Sequence, residues 1–282
     1  MNRIILSIVG LLAVFLFVGL SPHDAEASHS WGGYHWATKT TPTLTAPITL
    51  QLGNNMTGDW VGHLTTAASD WGSTPTYNGT AVANPLRTSV VVGAKLKRCG
   101  AVSGRVEVCN ASYGQNGWLG LAQIWLSNGH IVQGTAKMND SYFSAAPYNN
   151  PNEKLHVVCQ EVGHTFGLDH QSTDGGSLNT CMDYFSNTGG NAGSTASTHP
   201  NQHDYDQLTL IYNHGDGYNS YSSAAAVAAG KPSGVPGKGG PDGVDGNGTP
   251  SGASPERGNW YVEDLGNGVQ LVTHITWSER GR

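Results

Sequence analysis

The segment Cys159-Gln160-Glu161-Val162-Gly163-His164-Thr165-Phe166-Gly167-Leu168-Asp169-His170 concentrates side chains that can bind a metal and move protons. Positions 160 and 164 are one helical turn apart, so a helix points both side chains the same way. Glu161 lies beside them. Gly167 permits a chain reversal, and three residues later His170 returns to the same point. Three donors and one carboxylate then converge, as a catalytic metal with an open coordination position requires. The plain alternative is a polar helix face with incidental histidines, which would leave the Gly167 break as a coincidence. His156 is two turns from His164 and a poor substitute ligand. His199 and His203 are looser candidates, and His35, His63, His130, His214 and His274 read most simply as surface or capping residues.

Positioning these groups takes a helix with a definite start. Asn150-Pro151-Asn152-Glu153 supplies it: Asn150 as cap, Pro151 at the first helical position and Glu153 completing a capping box. Leu155, Val158, Cys159, Val162 and Phe166 form the buried face, and Gly167 is the stop. Upstream, Ile48–Leu52 reads as a strand. A helix follows, capped by Thr57 or Asp59, with Trp60, Leu64, Ala67 and Trp71 at core spacing. Ser89–Val92 is a short strand, and Leu119–Leu126 and His130–Ala136 form a hairpin around Asn128-Gly129. A last helix runs from about Asn201 to Tyr212, with Tyr205, Leu208 and Ile211 inward.

The 160–170 segment resembles the metzincin signature H-E-x-x-H-x-x-G-x-x-H, matching every fixed position except the first, which is Gln160. Downstream, Cys181-Met182-Asp183-Tyr184 resembles that family's Met-turn, with Met182 as packing beneath the site. The Met-x-Tyr spacing looks like the astacin and serralysin branches, whereas the final helix is more like a compact bacterial matrixin-type domain. The resemblance covers roughly residues 36–214. It implies an α/β (α+β) fold with a mixed twisted sheet, an active-site helix, a Met-turn and a C-terminal helix. It also implies a zinc ion held by His164, His170 and, more weakly as a neutral oxygen donor, Gln160. Glu161 would be the general base for a metal-activated water and Tyr184 a donor to the developing oxyanion. Family geometry further implies a Cys159–Cys181 bridge under the helix, leaving Cys99–Cys109. Read alone, the four cysteines of an exported chain allow three pairings. Asp174 and Asp183 are the residues that could touch a structural calcium, although neither sits in a recognisable loop.

The rest of the chain bounds where this chemistry takes place. Arg3, the apolar run Ile4–Leu20 and Ala25-Glu26-Ala27 read as a signal peptide over residues 1–27. The run is near the lower length limit for a membrane anchor, and the cleavage pattern argues against that reading. Removing it leaves a chain one unit less negative than the full sequence at −6. With 12% charged residues and no basic stripe, nucleic acid and membrane surfaces are excluded as partners. Residues 215–257 are rich in Gly, Ser, Ala and Pro and read as a linker. Residues 258–282 read as an extension with a hairpin around Gly266-Asn267-Gly268, too small to stand alone. The expectation is a secreted, monomeric zinc endopeptidase that takes an extended peptide or protein substrate along a sheet edge. The competing expectations are a catalytically impaired binding protein, which Gln160 favours and Glu161 opposes, and a hydrolase of a narrower substrate such as cell-wall peptides.

Overall fold

A computed structural model describes residues 29–221, 249–250, 253 and 259–278. The signal segment and residues 222–248 of the linker lie outside them. The described chain is a mixed α/β fold built on one large sheet. Its strands are β1 (His35–Trp36), β2 (Ile48–Asn55), β5 (Leu86–Val92), β6 (Val106–Ala111), β7 (Trp118–Ser127), β8 (His130–Asn139), β9 (Trp260–Gly266) and β10 (Val269–Trp277). β3 (Thr76–Tyr77) and β4 (Thr80–Ala81) form a separate small ribbon. The order across the large sheet is β5-β2-β6-β8-β7-β10-β9, with β1 on β8. The β5, β2, β6 and β8 pairings are parallel, and β8-β7, β7-β10 and β10-β9 are antiparallel.

Helices α1 (Trp60–Gly72) and α3 (Pro151–His164) pack against each other and the sheet, α3 over β7, β8 and β10. α2 (Asp140–Phe143) is a single turn and α4 (Gln202–Ile211) closes the core. Trp60, Leu64, Ala67 and Trp71 are buried, as their spacing predicts. The strands run a few residues beyond the predicted bounds, since their ends pair with neighbours that local patterning does not reveal. Asn150 Oδ1 accepts from the Glu153 N–H at 2.9 Å. The Glu153 carboxylate itself turns to the Asn187 N–H and the Ser186 hydroxyl, tying the helix start to the loop beyond the site. The complete capping box is at α4, where Asn201 and Asp204 exchange bonds. Asp59 pairs with Lys154 at 2.7 Å and makes no side-chain cap to α1.

Both disulfides have the pairing that family geometry implied, Cys99–Cys109 and Cys159–Cys181. Two closed bridges agree with an oxidising compartment. Among the described residues, no helix is long and apolar enough to cross a membrane.

Two segments depart from the sequence reading. Residues 215–221, assigned to the linker by composition, are fastened to the domain. Asp216 Oδ2 accepts from the Thr38 N–H, and the Ser220 hydroxyl accepts from the Ala37 N–H and donates to the Ile131 carbonyl. A few specific bonds outweigh local composition there. The C-terminal hairpin docks by strand pairing, β10 against β7 along its whole length. The β7 edge is therefore not open for the strand addition of a substrate. Leu271, Ile275 and Trp277 are buried on one face of β10 and Val272 on the other. At about 1.5–3 kcal/mol per buried apolar side chain, lifting the hairpin would forfeit on the order of 10 kcal/mol, comparable with a whole domain's stability. The hairpin is part of the domain.

Gly167 ends the α3 region at φ +100°, where a Cβ would lie 2.0 Å from the Tyr34 carbonyl oxygen. Gly167→Ala is expected to destabilise the protein by about 2–4 kcal/mol through backbone strain and this overlap. The measurement is the shift of its urea midpoint.

Candidate metal centre

α3 carries Gln160, Glu161 and His164 into the space between helix and sheet, and the turn at Gly167 returns His170 to them. The His164 and His170 Nε2 atoms are 3.2 Å apart. Two nitrogens each about 2.0–2.1 Å from a tetrahedral ion would stand about 3.3–3.4 Å apart. The third imidazole comes from the hairpin. Side chains alternate along β10, so Val272, His274 and Thr276 face the helix. His274 stacks on His164 with ring centroids 3.8 Å apart and meets His170 at 4.4 Å. One nitrogen from each of His164, His170 and His274 lies within 4.8 Å of the other two.

The surrounding contacts set the tautomers. His164 Nδ1 donates to the Leu168 carbonyl at 2.8 Å, which leaves its Nε2 lone pair facing His170. The Asn259 side-chain amide lies 3.2 Å from His170 Nδ1 and 2.8 Å from His274 Nε2, and it contacts the Tyr184 hydroxyl. The atom facing both rings is the amide nitrogen, a donor, so Asn259 links His170, His274 and Tyr184 at the edge of the cluster. His274 Nδ1 is buried without a hydrogen-bond partner. Burial holds His164 down to about 3, against the Leu168 carbonyl, which acts in the opposite sense. Burial and then the neighbouring His164 hold His274 well below the usual histidine range. His164 and His274 thus favour the neutral form that a metal ligand needs.

Glu161 is fully buried. Its Oε1 accepts from the Thr276 hydroxyl at 2.6 Å, and its Oε2 has no hydrogen-bond partner. Burial pushes its carboxyl up to about 8, against the Thr276 bond that lowers it. Two buried polar atoms of this region, His274 Nδ1 and Glu161 Oε2, have no hydrogen-bond partner, and a divalent cation bound among the three imidazoles would give His274 Nδ1 one.

Gln160 is engaged elsewhere. Its amide N–H groups donate to the carbonyls of Cys181 and Asp183 at 2.9 and 2.8 Å, and its Oε1 lies 2.7 Å from the Thr276 hydroxyl, whose one proton is shared between this oxygen and Glu161 Oε1. Gln160 therefore binds the helix to the Cys181–Asp183 loop and to β10. In that loop Met182 is fully buried, and a Cβ on Gly163 would lie 2.6 Å from its Sδ. The absent side chain at 163 lets the loop press directly under the helix. Tyr184 reaches the rim, its ring 4.1 Å from that of His170.

Other candidates stay out of the centre. His156 bonds to Asn187 and the Asp183 carbonyl, His199 to Asp70, and His203 stacks on His29. Asp183 accepts from Leu178, Phe185 and Ser197, and Asp174 from Gly176. Neither aspartate, the sequence's calcium candidates, joins a group of potential metal ligands among the described residues.

The sequence reading missed His274, Thr276 and Asn259. A usable signal was there: His274 and Thr276 occupy the same alternate positions as apolar Val272 in a strand, unusual for a solvent-facing histidine. No protein-family model matches the chain, and no curated protein matches its sequence.

Proposed function

We propose that the protein is a secreted, zinc-dependent endopeptidase of metzincin type, whose third imidazole is His274 from the C-terminal hairpin in place of the residue at position 160. The observation that carries this reading is the meeting of three imidazoles, those of His164, His170 and His274, at the helix that also carries the buried, half-satisfied Glu161 carboxylate. His164, His170 and His274 would hold the ion. When bound, it would act as a Lewis acid on the scissile carbonyl and acidify a water. Glu161 would take the proton of that water on its free Oε2 and deliver it to the departing amine. Thr276 fixes the other oxygen, so the carboxylate cannot swing away. Tyr184, at the rim, would donate to the oxyanion, and Asn259 keeps His170 and His274 in register.

Substrate would approach from the side rimmed by Tyr184, Asn259 and the exposed Trp260, because β10 covers the β7 edge. The test is digestion of an unfolded protein by the purified mature chain, with and without a chelator. Metal-dependent cleavage supports the reading. A folded, zinc-loaded protein that cleaves neither proteins nor cell-wall peptides would leave a binding protein as the better account.

A further inference from the structure

We propose that His35, His130, His214 and Asp216 form a second metal site, for a divalent ion of the zinc type, sharing no residue with the His164 cluster. His35 is on β1, His130 begins β8, and His214 and Asp216 follow α4. Composition reads all of these positions as surface or linker. In the fold their side chains meet: the Nε2 atoms of His130 and His214 are 3.1 and 3.3 Å from Asp216 Oδ1, and His35 Nε2 is 3.5 Å from the same carboxylate. These nitrogen-to-carboxylate separations bracket the about 3.3–3.4 Å expected between an imidazole and a carboxylate donor around a tetrahedral ion. The His35 ring lies 4.9 Å from that of His130 and 4.8 Å from that of His214.

The outer partners are in place as well. His35 Nδ1 lies 3.0 Å from the Gly33 carbonyl, His130 Nδ1 3.1 Å from the Tyr218 hydroxyl, and His214 Nδ1 3.3 Å from Asn213 Oδ1. Asp216 Oδ2 is held by the Thr38 N–H at 2.8 Å, leaving Oδ1 to face the rings. Each ring thus has an oxygen behind it and its Nε2 toward Asp216, the pattern of orienting bonds behind ligand histidines; ligand atoms of His35, His214 and Asp216 lie within 4.8 Å of one another, and His130 reaches the same carboxylate. A simple set of imidazole–carboxylate hydrogen bonds accounts for this less well. The Gly33 carbonyl can only accept, so His35 carries its proton on Nδ1 and, when neutral, turns a lone pair toward a carboxylate. A cation between them removes that repulsion. Three nitrogens and one carboxylate oxygen suit zinc rather than calcium or magnesium.

The site would staple the N-terminal strand to the chain following α4. The same N-terminal segment lays Trp31 against His164 and His274, with ring centroids 5.7 and 5.8 Å apart. The test uses the full mature chain with the first cluster silenced by His164→Ala and His170→Ala, titrated with zinc against a chromophoric chelator. One tight zinc per chain is expected. Adding Asp216→Asn should weaken it at least about 100-fold, and Tyr218→Phe about 10-fold or more. A folded double variant that binds no zinc, or binds it equally well with Asp216→Asn, overturns the proposal. Should the double variant fail to fold, cobalt is titrated into the wild type and into His214→Ala, a change at an exposed position. A second cobalt equivalent with strong visible bands, absent in His214→Ala, supports the site. Identical spectra overturn it.

Discussion

Glu161→Gln is expected to lower kcat/KM on an unfolded protein substrate by about 10²–10⁴-fold, the usual worth of a positioned acid–base group, with zinc content unchanged. Glutamine keeps the shape and can still accept from Thr276, so the loss would belong to proton transfer. The same substitution should have the opposite effect on stability. In metal-free protein the Glu161 carboxyl is pushed up to about 8 by burial, from an ordinary value near 4.5. Between those values the unfolded chain has released a proton that the folded chain retains, so stability falls as pH rises through that window. The slope is at most about 1.4 kcal/mol per pH unit. Chelated wild type should therefore lose thermal midpoint from pH 5 to pH 8 more steeply than Glu161→Gln. Parallel pH profiles, or full activity in the variant, would show that this carboxylate is neither buried alone nor the base.

The contrast between His274→Ala and Gln160→Ala carries the second large effect. His274→Ala should weaken zinc binding by about 100-fold or more and abolish cleavage with it, since it removes one of three ligands. Gln160→Ala should retain the metal but destabilise the fold by about 2–4 kcal/mol, because the carbonyls of Cys181 and Asp183 and the Thr276 hydroxyl lose a buried partner. Zinc titration and denaturant unfolding on both variants separate the roles. Loss of zinc from Gln160→Ala with His274→Ala unaffected would return the ligand role to position 160.

Much of this architecture is legible in the sequence because it is local. The α3 start is written in Asn150-Pro151, its reversal in Gly167, and the α4 helix in the core spacing of Tyr205, Leu208 and Ile211. The convergence of His164 and His170 follows from the end of the helix at His164 and the reversal at Gly167. The rest is not local. Nothing near residue 274 says that its strand will pair with β7, so a histidine that looks solvent-facing in isolation becomes fully buried. Asp216 sits in a stretch whose glycines and serines dominate any composition window, although one carboxylate with one backbone donor anchors it. Glu153 shows the converse: its local pattern points to a capping box, and a competing backbone donor at Asn187 draws the side chain away.

On the proposed reading, a ligand carried on β10 would also give biosynthesis a safeguard. A chain that crosses a membrane N-terminus first presents His164 and His170 well before residue 274 emerges. Until then the proposed centre would hold only two of its imidazoles, too few for a tight catalytic zinc. Any hydrolytic power would thus arise last, after export is nearly finished and away from the proteins of the cell that made it. The same dependence would make clipping of the C-terminal strand a means of switching the molecule off for good.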